Sequence, residues 1–144
     1  MKNILNLFLT LLIPLLYFLG LIVILQTMKI TNFFLAVLGL IIAFLGLFLW
    51  GLGFYFLGRP SFSVLPKAKK LQTKGLYKYF RHPIYLGITL TLLGLSLSTS
   101  SLLGFIYTTV IIFPLNMLRA RNEERVLIAK FGPEYLEYRQ KTLI

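Results

Sequence analysis

The 144-residue sequence contains no cysteine, one histidine, one tryptophan and four acids. Without cysteine there can be no disulfide, no thiolate metal site and no cysteine nucleophile, and a lone histidine is too little for a protein-held zinc ion. No metal is expected. The acids Glu123, Glu124, Glu134 and Glu137 all lie beyond residue 120, so the rest of the chain offers no carboxylate for acid–base chemistry or ion pairing.

Apolar residues fill the space that charge leaves. Hydrophobic residues make up 58% of the chain and the mean hydropathy is +0.83, against roughly 45–50% apolar residues in soluble domains. Lipid is therefore the expected solvent, and the fold class expected is all-α, a polytopic membrane bundle of about four transmembrane helices with further helices at the C-terminus. A chain of this length makes a single domain, 1–144, in which any site must be built from helix ends and loops. The net charge of +11 would suit nucleic acid if the basic residues shared one soluble face. They punctuate apolar runs instead, where they act on orientation, so membrane lipids and not nucleic acid are the expected partners.

The runs 4–25 and 33–57 carry no charge and each exceeds the ~20 residues needed to cross a hydrocarbon core. The first is too long for a signal-peptide core and no small-residue cleavage site follows, so it reads as a retained span. Pro14 lies within it, where its missing N–H frees a carbonyl and favours a kink. The stretch 84–118 is also uncharged, but Ser96, Ser98, Thr99, Ser100 and Ser101 interrupt it. It reads as two short helices of about 16 residues joined by a tight turn, spanning fully or as a re-entrant hairpin. Lys29 is the only basic residue between the first two spans, and the Ser/Thr turn has none. Every other Lys and Arg falls on the opposite side: Lys2, a middle cluster from Arg59 through Lys67, Lys69, Lys70, Lys74 and Lys78 to Arg81, and the tail from Arg119 to Lys141. By the positive-inside rule both termini and the middle loop face the cytoplasm.

Beyond Leu118 charges interleave with apolar residues, and the fourth helix is expected to continue out of the membrane as far as Phe131. Gly132 can end it in a left-handed cap, and Pro133 suits the first position of a short closing helix. Leu127, Phe131, Tyr135 and Tyr138 are spaced as an apolar stripe that can lie on the membrane surface or on the middle loop.

Glu123 and Glu124 are adjacent and therefore project about 100° apart on a helix, so that one can face a pocket while the other pairs with a neighbour. Arg119 precedes Glu123 by one turn and Arg121 precedes Glu124 by three residues, a spacing equally compatible with a solvated, salt-bridged surface. His82 stands before Pro83 at the start of the third span. Arg81 and His82 would then flank a helix N-terminus, which favours an anion, or simply reach to lipid headgroups.

The run Gly75-Leu-Tyr77-Lys-Tyr-Phe-Arg81-His82-Pro83-Ile-Tyr85-Leu-Gly87, the hairpin after it, Glu123-Glu124, and Phe131-Gly132-Pro-Glu134-Tyr135-Leu-Glu-Tyr138 together resemble the isoprenylcysteine carboxyl methyltransferase and phospholipid methyltransferase superfamily. The resemblance covers about 75–141. It implies an S-adenosylmethionine site on the cytoplasmic side, with Tyr77, Arg81, His82, Pro83, Tyr85 and Gly87 lining the cofactor pocket. Glu123 and Glu124 would meet its ammonium, ribose hydroxyls or sulfonium. Gly51-Leu-Gly53 has the form of a family cofactor motif, but glycines in such helices also serve close packing. Transfer of a methyl group from a sulfonium needs alignment and dryness; a carboxylate acceptor needs no base. Such an acceptor needs a positioning cation, for which Arg59, Arg81, Arg119 and Arg121 are candidates and Arg119 is placed best. The acceptor expected is lipophilic, entering from the bilayer: an isoprenylcysteine-like carboxylate, or a phospholipid amine. Integral membrane sterol-type reductases carry a similar Arg-His-Pro-x-Tyr segment, making a nicotinamide-dependent reductase the alternative enzyme. A non-enzymatic scaffold or small transporter is the third class; the first two spans contain no ionisable residue except tyrosine, which argues against a transporter.

Overall fold

The computed structural model describes residues 2–57 and 71–143; side chains are described from residue 12 onward. Arg59, Lys67, Lys69 and Lys70 of the basic middle cluster lie outside the described residues. Among the described residues every regular element is helical: α1 (Lys2–Gln26), α2 (Phe33–Leu57), a 3-10 turn (Gly75–Lys78), α3 (Pro83–Ser98), α4 (Leu102–Phe131) and α5 (Pro133–Gln140). Two of these, α2 with 25 residues and α4 with 30, are long and apolar enough to cross a membrane. The 16 residues of α3 rise only about 24 Å, less than a typical hydrocarbon core. Pro14 sits inside α1 without ending it.

The seam between α2 and α3 is the most extensive helix–helix contact in the structure. Small residues face each other along it: Gly39, Ala43, Gly46 and Gly53 from α2, and Gly87, Thr91, Gly94 and Ser98 from α3. Steps of four, three and seven residues in α2, and of four, three and four in α3, put each set on one face of its helix. A Cβ added to Gly94 would lie 2.3 Å from the backbone nitrogen of Ala43, and one on Gly46 would lie 2.4 Å from that of Thr91. The two backbones therefore touch, as small residues allow in apolar bundles. The opposite face of α2 is bare: Phe34 is 81% and Phe44 69% exposed. So large an apolar surface requires an apolar surrounding or a partner.

α1 lies against α3 and α4 around a core of Ile24, Leu92 and Ile112. At one end the Ser/Thr turn is tied back by hydroxyls. Ser101 caps α4, accepting from Gly104 N at 3.0 Å, and its Oγ lies 2.5 Å from Thr27 Oγ1. The 27–31 loop adds Lys29 N, donating to Thr99 O at 2.7 Å. The hydroxyl-rich break expected between two helices is thus a three-residue turn, and the second arm runs unbroken to Phe131. Residues Thr108–Ile112 of that arm form a π turn. Pro114 follows at once, with no N–H to offer the preceding turn.

At the far end of α4, Gly132 has φ 52° and ψ −124°. Its φ is positive, as a glycine cap allows, but its ψ lies far from the left-handed helical basin, because the ring of Pro133 excludes helical ψ values at the preceding residue. The chain turns sharply there and α5 folds back over the mouth of α3.

Candidate functional site

Four stretches distant in sequence meet at the charged end of the bundle: the 3-10 turn, the start of α3, the outer half of α4, and α5 with its tail. Pro83 opens α3 as its first residue and is fully buried, which fixes His82 as the N-cap and holds Arg81 just outside. Arg81 Nε donates to Glu124 Oε1 at 2.9 Å. One Nη of the same guanidinium donates to the carbonyls of Thr142 (2.9 Å) and Arg139 (3.2 Å) and to Thr142 Oγ1 (3.2 Å). A planar fork is suited to this, gathering a carboxylate from α4 and the end of α5 onto the mouth of α3.

His82 stands between the paired carboxylates. Its Nδ1 lies 3.6 Å from Glu123 Oε2 and its Nε2 3.4 Å from Glu124 Oε1, and its ring is stacked on that of Tyr85. The Tyr85 hydroxyl donates to Glu123. Arg139 Nε reaches Glu124 Oε2 at 3.7 Å. Both glutamates therefore face the same cluster. The helix-surface pairing with Arg119 and Arg121 does not occur: Glu124 pairs with Arg81 and Arg139, and Arg119 lies over the Tyr85 ring, 4.8 Å from its centroid.

The tail lies on the middle segment. Tyr138 donates to the carbonyl of Tyr77 at 2.6 Å, and Leu143 N to that of Tyr79 at 2.9 Å. Tyr135 is buried beneath. Burial pushes the Tyr138 phenol up to about 12. It also raises those of Tyr135 and Tyr77, helped by the nearby charges of Glu124 and Glu123 respectively. These phenols are neutral donors at ordinary pH. A cavity of about 270 Å3 beside the tail is lined by Thr73, Lys78, Glu134, Tyr138, Lys141 and Thr142.

Tyr77, Arg81, His82, Pro83, Tyr85, Glu123 and Glu124 are thus brought together around one cluster, with Arg119 at its inner edge. Gly87 is not. A Cβ there would lie 2.5 Å from Trp50 N, so its place is in the α2–α3 seam. Gly53 is likewise packed, with Ile84 Cγ1 2.7 Å from its would-be Cβ, while Gly51 has open space around it. Thr142, Arg139, Tyr17 and Asn116 join the site without having been expected there. Asn116 could have been noticed, since an amide in an uncharged apolar run must find partners.

S-adenosylmethionine presents an ammonium, a carboxylate, two ribose hydroxyls and a sulfonium. The residues present fit such a group: two carboxylates and a guanidinium line the site, and two buried polar atoms, His82 Nε2 and the Tyr135 hydroxyl, have no hydrogen-bond partner. A ligand with donors and acceptors would satisfy both.

The chain is similar to protein-S-isoprenylcysteine O-methyltransferases of Schizosaccharomyces pombe, 30% identical over 86 residues, and Saccharomyces cerevisiae, 35% identical over 86 residues. Each alignment covers 56% of this chain and 36% of the relative. Methanethiol S-methyltransferase 1 of Bradyrhizobium diazoefficiens is 41% identical over 73 residues, 50% of this chain and 24% of that protein. The matched stretch thus spans only about a third of the first two relatives and a quarter of the third. No solved structure matches. Residues 27–134, from the loop after α1 to the start of α5, match the phospholipid methyltransferase family, and with most of its length inside that match the chain belongs to this family.

Proposed function

We propose that this protein is an S-adenosylmethionine-dependent methyltransferase of four membrane spans that acts on a lipophilic acceptor bearing a carboxylate, such as an isoprenylcysteine-like molecule. The observation that carries the reading is the convergence of Arg81, His82 and Tyr85, at the mouth of α3, with Glu123 and Glu124 of α4, 43 residues apart at Arg81–Glu124, on one cluster at the bundle's charged end. The cofactor, when bound, supplies an electrophilic methyl group on a sulfonium. Glu123 and Glu124 would hold its cationic and hydroxyl groups, and Arg81 its carboxylate. Tyr135 and Tyr138 on the tail wall the site from water. Arg119 offers a guanidinium at the inner edge, where a carboxylate arriving from the bilayer would meet it. A carboxylate acceptor would carry no proton to be removed before it received the methyl group, so no protein base would be required of this chain. Similarity to two isoprenylcysteine O-methyltransferases supports an oxygen acceptor over a phospholipid amine.

Calorimetry with S-adenosylhomocysteine tests the reading. The detergent-purified protein is expected to bind it and not reduced nicotinamide, and Glu124→Ala, while folded, to bind it roughly tenfold or more weakly, the loss of one charge-assisted hydrogen bond. Binding of the nicotinamide alone would favour a reductase. The proposed orientation, with both termini and the middle segment cytoplasmic, is checked by single cysteines in this cysteine-free chain. Lys78→Cys should be shielded from an impermeant thiol reagent in intact cells and Thr31→Cys labelled; the reverse pattern inverts the topology.

A further inference from the structure

Within Phe113–Phe131 of α4, Asn116 is the one buried residue, and an amide there is costly unless bonded. It is bonded on both sides. Its Oδ1 accepts from the Tyr17 hydroxyl of α1, and its Nδ2 donates to Thr89 Oγ1 of α3 at 2.9 Å. Thr89 donates its own proton to the Tyr85 carbonyl at 2.8 Å. One turn nearer the charged end, an Nη of Arg119 donates to the Tyr17 hydroxyl at 3.3 Å.

With the Thr89 proton on the Tyr85 carbonyl, the order of protons along this chain follows. The Thr89 proton is committed to the Tyr85 carbonyl, so toward Asn116 the hydroxyl can only accept. The Asn116 amide must therefore turn its NH2 to Thr89 and its oxygen to Tyr17. Tyr17 then spends its only proton on Asn116 and can only accept from Arg119. Arg119 is held by a neutral phenol and an aromatic face, among the described residues no carboxylate lies within ion-pairing distance of it, and its Nε is buried without a partner. A half-buried guanidinium without a paired carboxylate and with unused N–H groups is a receptor for an anion.

We infer that Tyr17, Asn116 and Thr89 are positioning residues which hold Arg119, through this directional hydrogen-bond chain, to receive the anionic group of the methyl acceptor. The inference rests on the proposed methyltransferase function. It assigns α1 a part in acceptor recognition that leaves cofactor binding alone.

Methyl transfer to a farnesyl thioether bearing a single carboxylate is measured alongside S-adenosylhomocysteine calorimetry for the full chain, Tyr17→Phe, Thr89→Val and Thr89→Ser. In Tyr17→Phe and Thr89→Val the KM for the thioether should rise about tenfold, with a smaller change in kcat and with S-adenosylhomocysteine affinity within about twofold of the parent. Thr89→Ser keeps the hydroxyl and should restore the parent KM. An unchanged KM in Tyr17→Phe, or an equal loss of S-adenosylhomocysteine affinity, overturns the inference. So does a parent chain that binds S-adenosylhomocysteine but does not methylate the carboxylate probe. A parent that binds no S-adenosylhomocysteine refutes the methyltransferase reading itself.

Discussion

Along the α2–α3 seam a Cβ on Gly94 or Gly46 would drive into backbone atoms of the facing helix, whereas at the charged end Arg81 reaches a carboxylate on α4 and two carbonyls at the end of α5 through a long side chain. The seam has no tolerance for added atoms, and its hydroxyls, those of Thr91 and Ser98, donate to carbonyls of their own helix. The charged end has space around it and consists of polar groups whose partners can be exchanged for a ligand's. In this chain shape complementarity builds the scaffold and charge complementarity builds the site. The two meet at α3, which presents Gly87, Thr91 and Gly94 to α2 along one face and carries Tyr85 and Thr89 toward α4.

Substitutions should separate the two regions. The largest effect is expected for Gly94→Val, whose branched side chain meets Ala43 backbone: a loss of about 3 kcal/mol or more, read as a large fall in melting temperature in detergent or as absence of folded protein. Tolerance of valine there would show that the helices can part without cost. Arg81→Ala comes next. Removing the fork leaves Glu124 and the tail carbonyls underpaired, a loss of about 2–3 kcal/mol, while the seam remains intact. Trypsin should then cut at Arg139 and Lys141 well before the helices unfold; unchanged protection would mean that α5 is held by Tyr135 and Tyr138 alone. The smallest effect concerns Tyr138. Its phenol is raised from 10.0 to about 12 in the folded protein, so the neutral form is favoured by folding. That stabilisation is complete below pH 10 and is lost as the pH climbs toward 12. Release of the tail should follow phenolate formation in that window and be absent in Tyr138→Phe; release at neutral pH would contradict the burial of the hydroxyl.

Much of the scaffold was legible because its signal is local. An uncharged run of this length marks α2 to the residue, and the serines and threonines at 96–101 mark the turn. Gly132-Pro133 marks the sharp exit from α4, although the conformation at Gly132 is set by its neighbour's ring. The seam was equally available in the four-and-three spacing of Gly39, Ala43, Gly46 and Gly53, but single glycines invite a cofactor reading until their register is laid against that of Gly87 and Gly94. For the site, residue types were readable and pairings were not. Glu124 has Arg121 three residues away and pairs instead with Arg81, 43 residues distant, because α3 and α4 bring their charged ends together. Tyr17 gave no local sign at all, its role being set by residues about a hundred positions later.

The π turn at Thr108–Ile112 has a consequence for alignment along α4. Gly104 and Asn116 both face the bundle interior, yet they are twelve positions apart, which on an undisturbed α-helix would leave them about 120° out of phase. The wide turn absorbs the equivalent of one residue and brings them back into line. It works as a frameshift corrector: the half of α4 that packs against α1 and the half that carries Asn116, Arg119 and Glu123 each keep their own register. Deleting one residue from 108–112 would let the helix run regular with all three functional side chains still facing the bundle, whereas closing the turn into regular helix without a deletion would swing them roughly 100° toward the outer surface, although every residue of the site remained in the sequence.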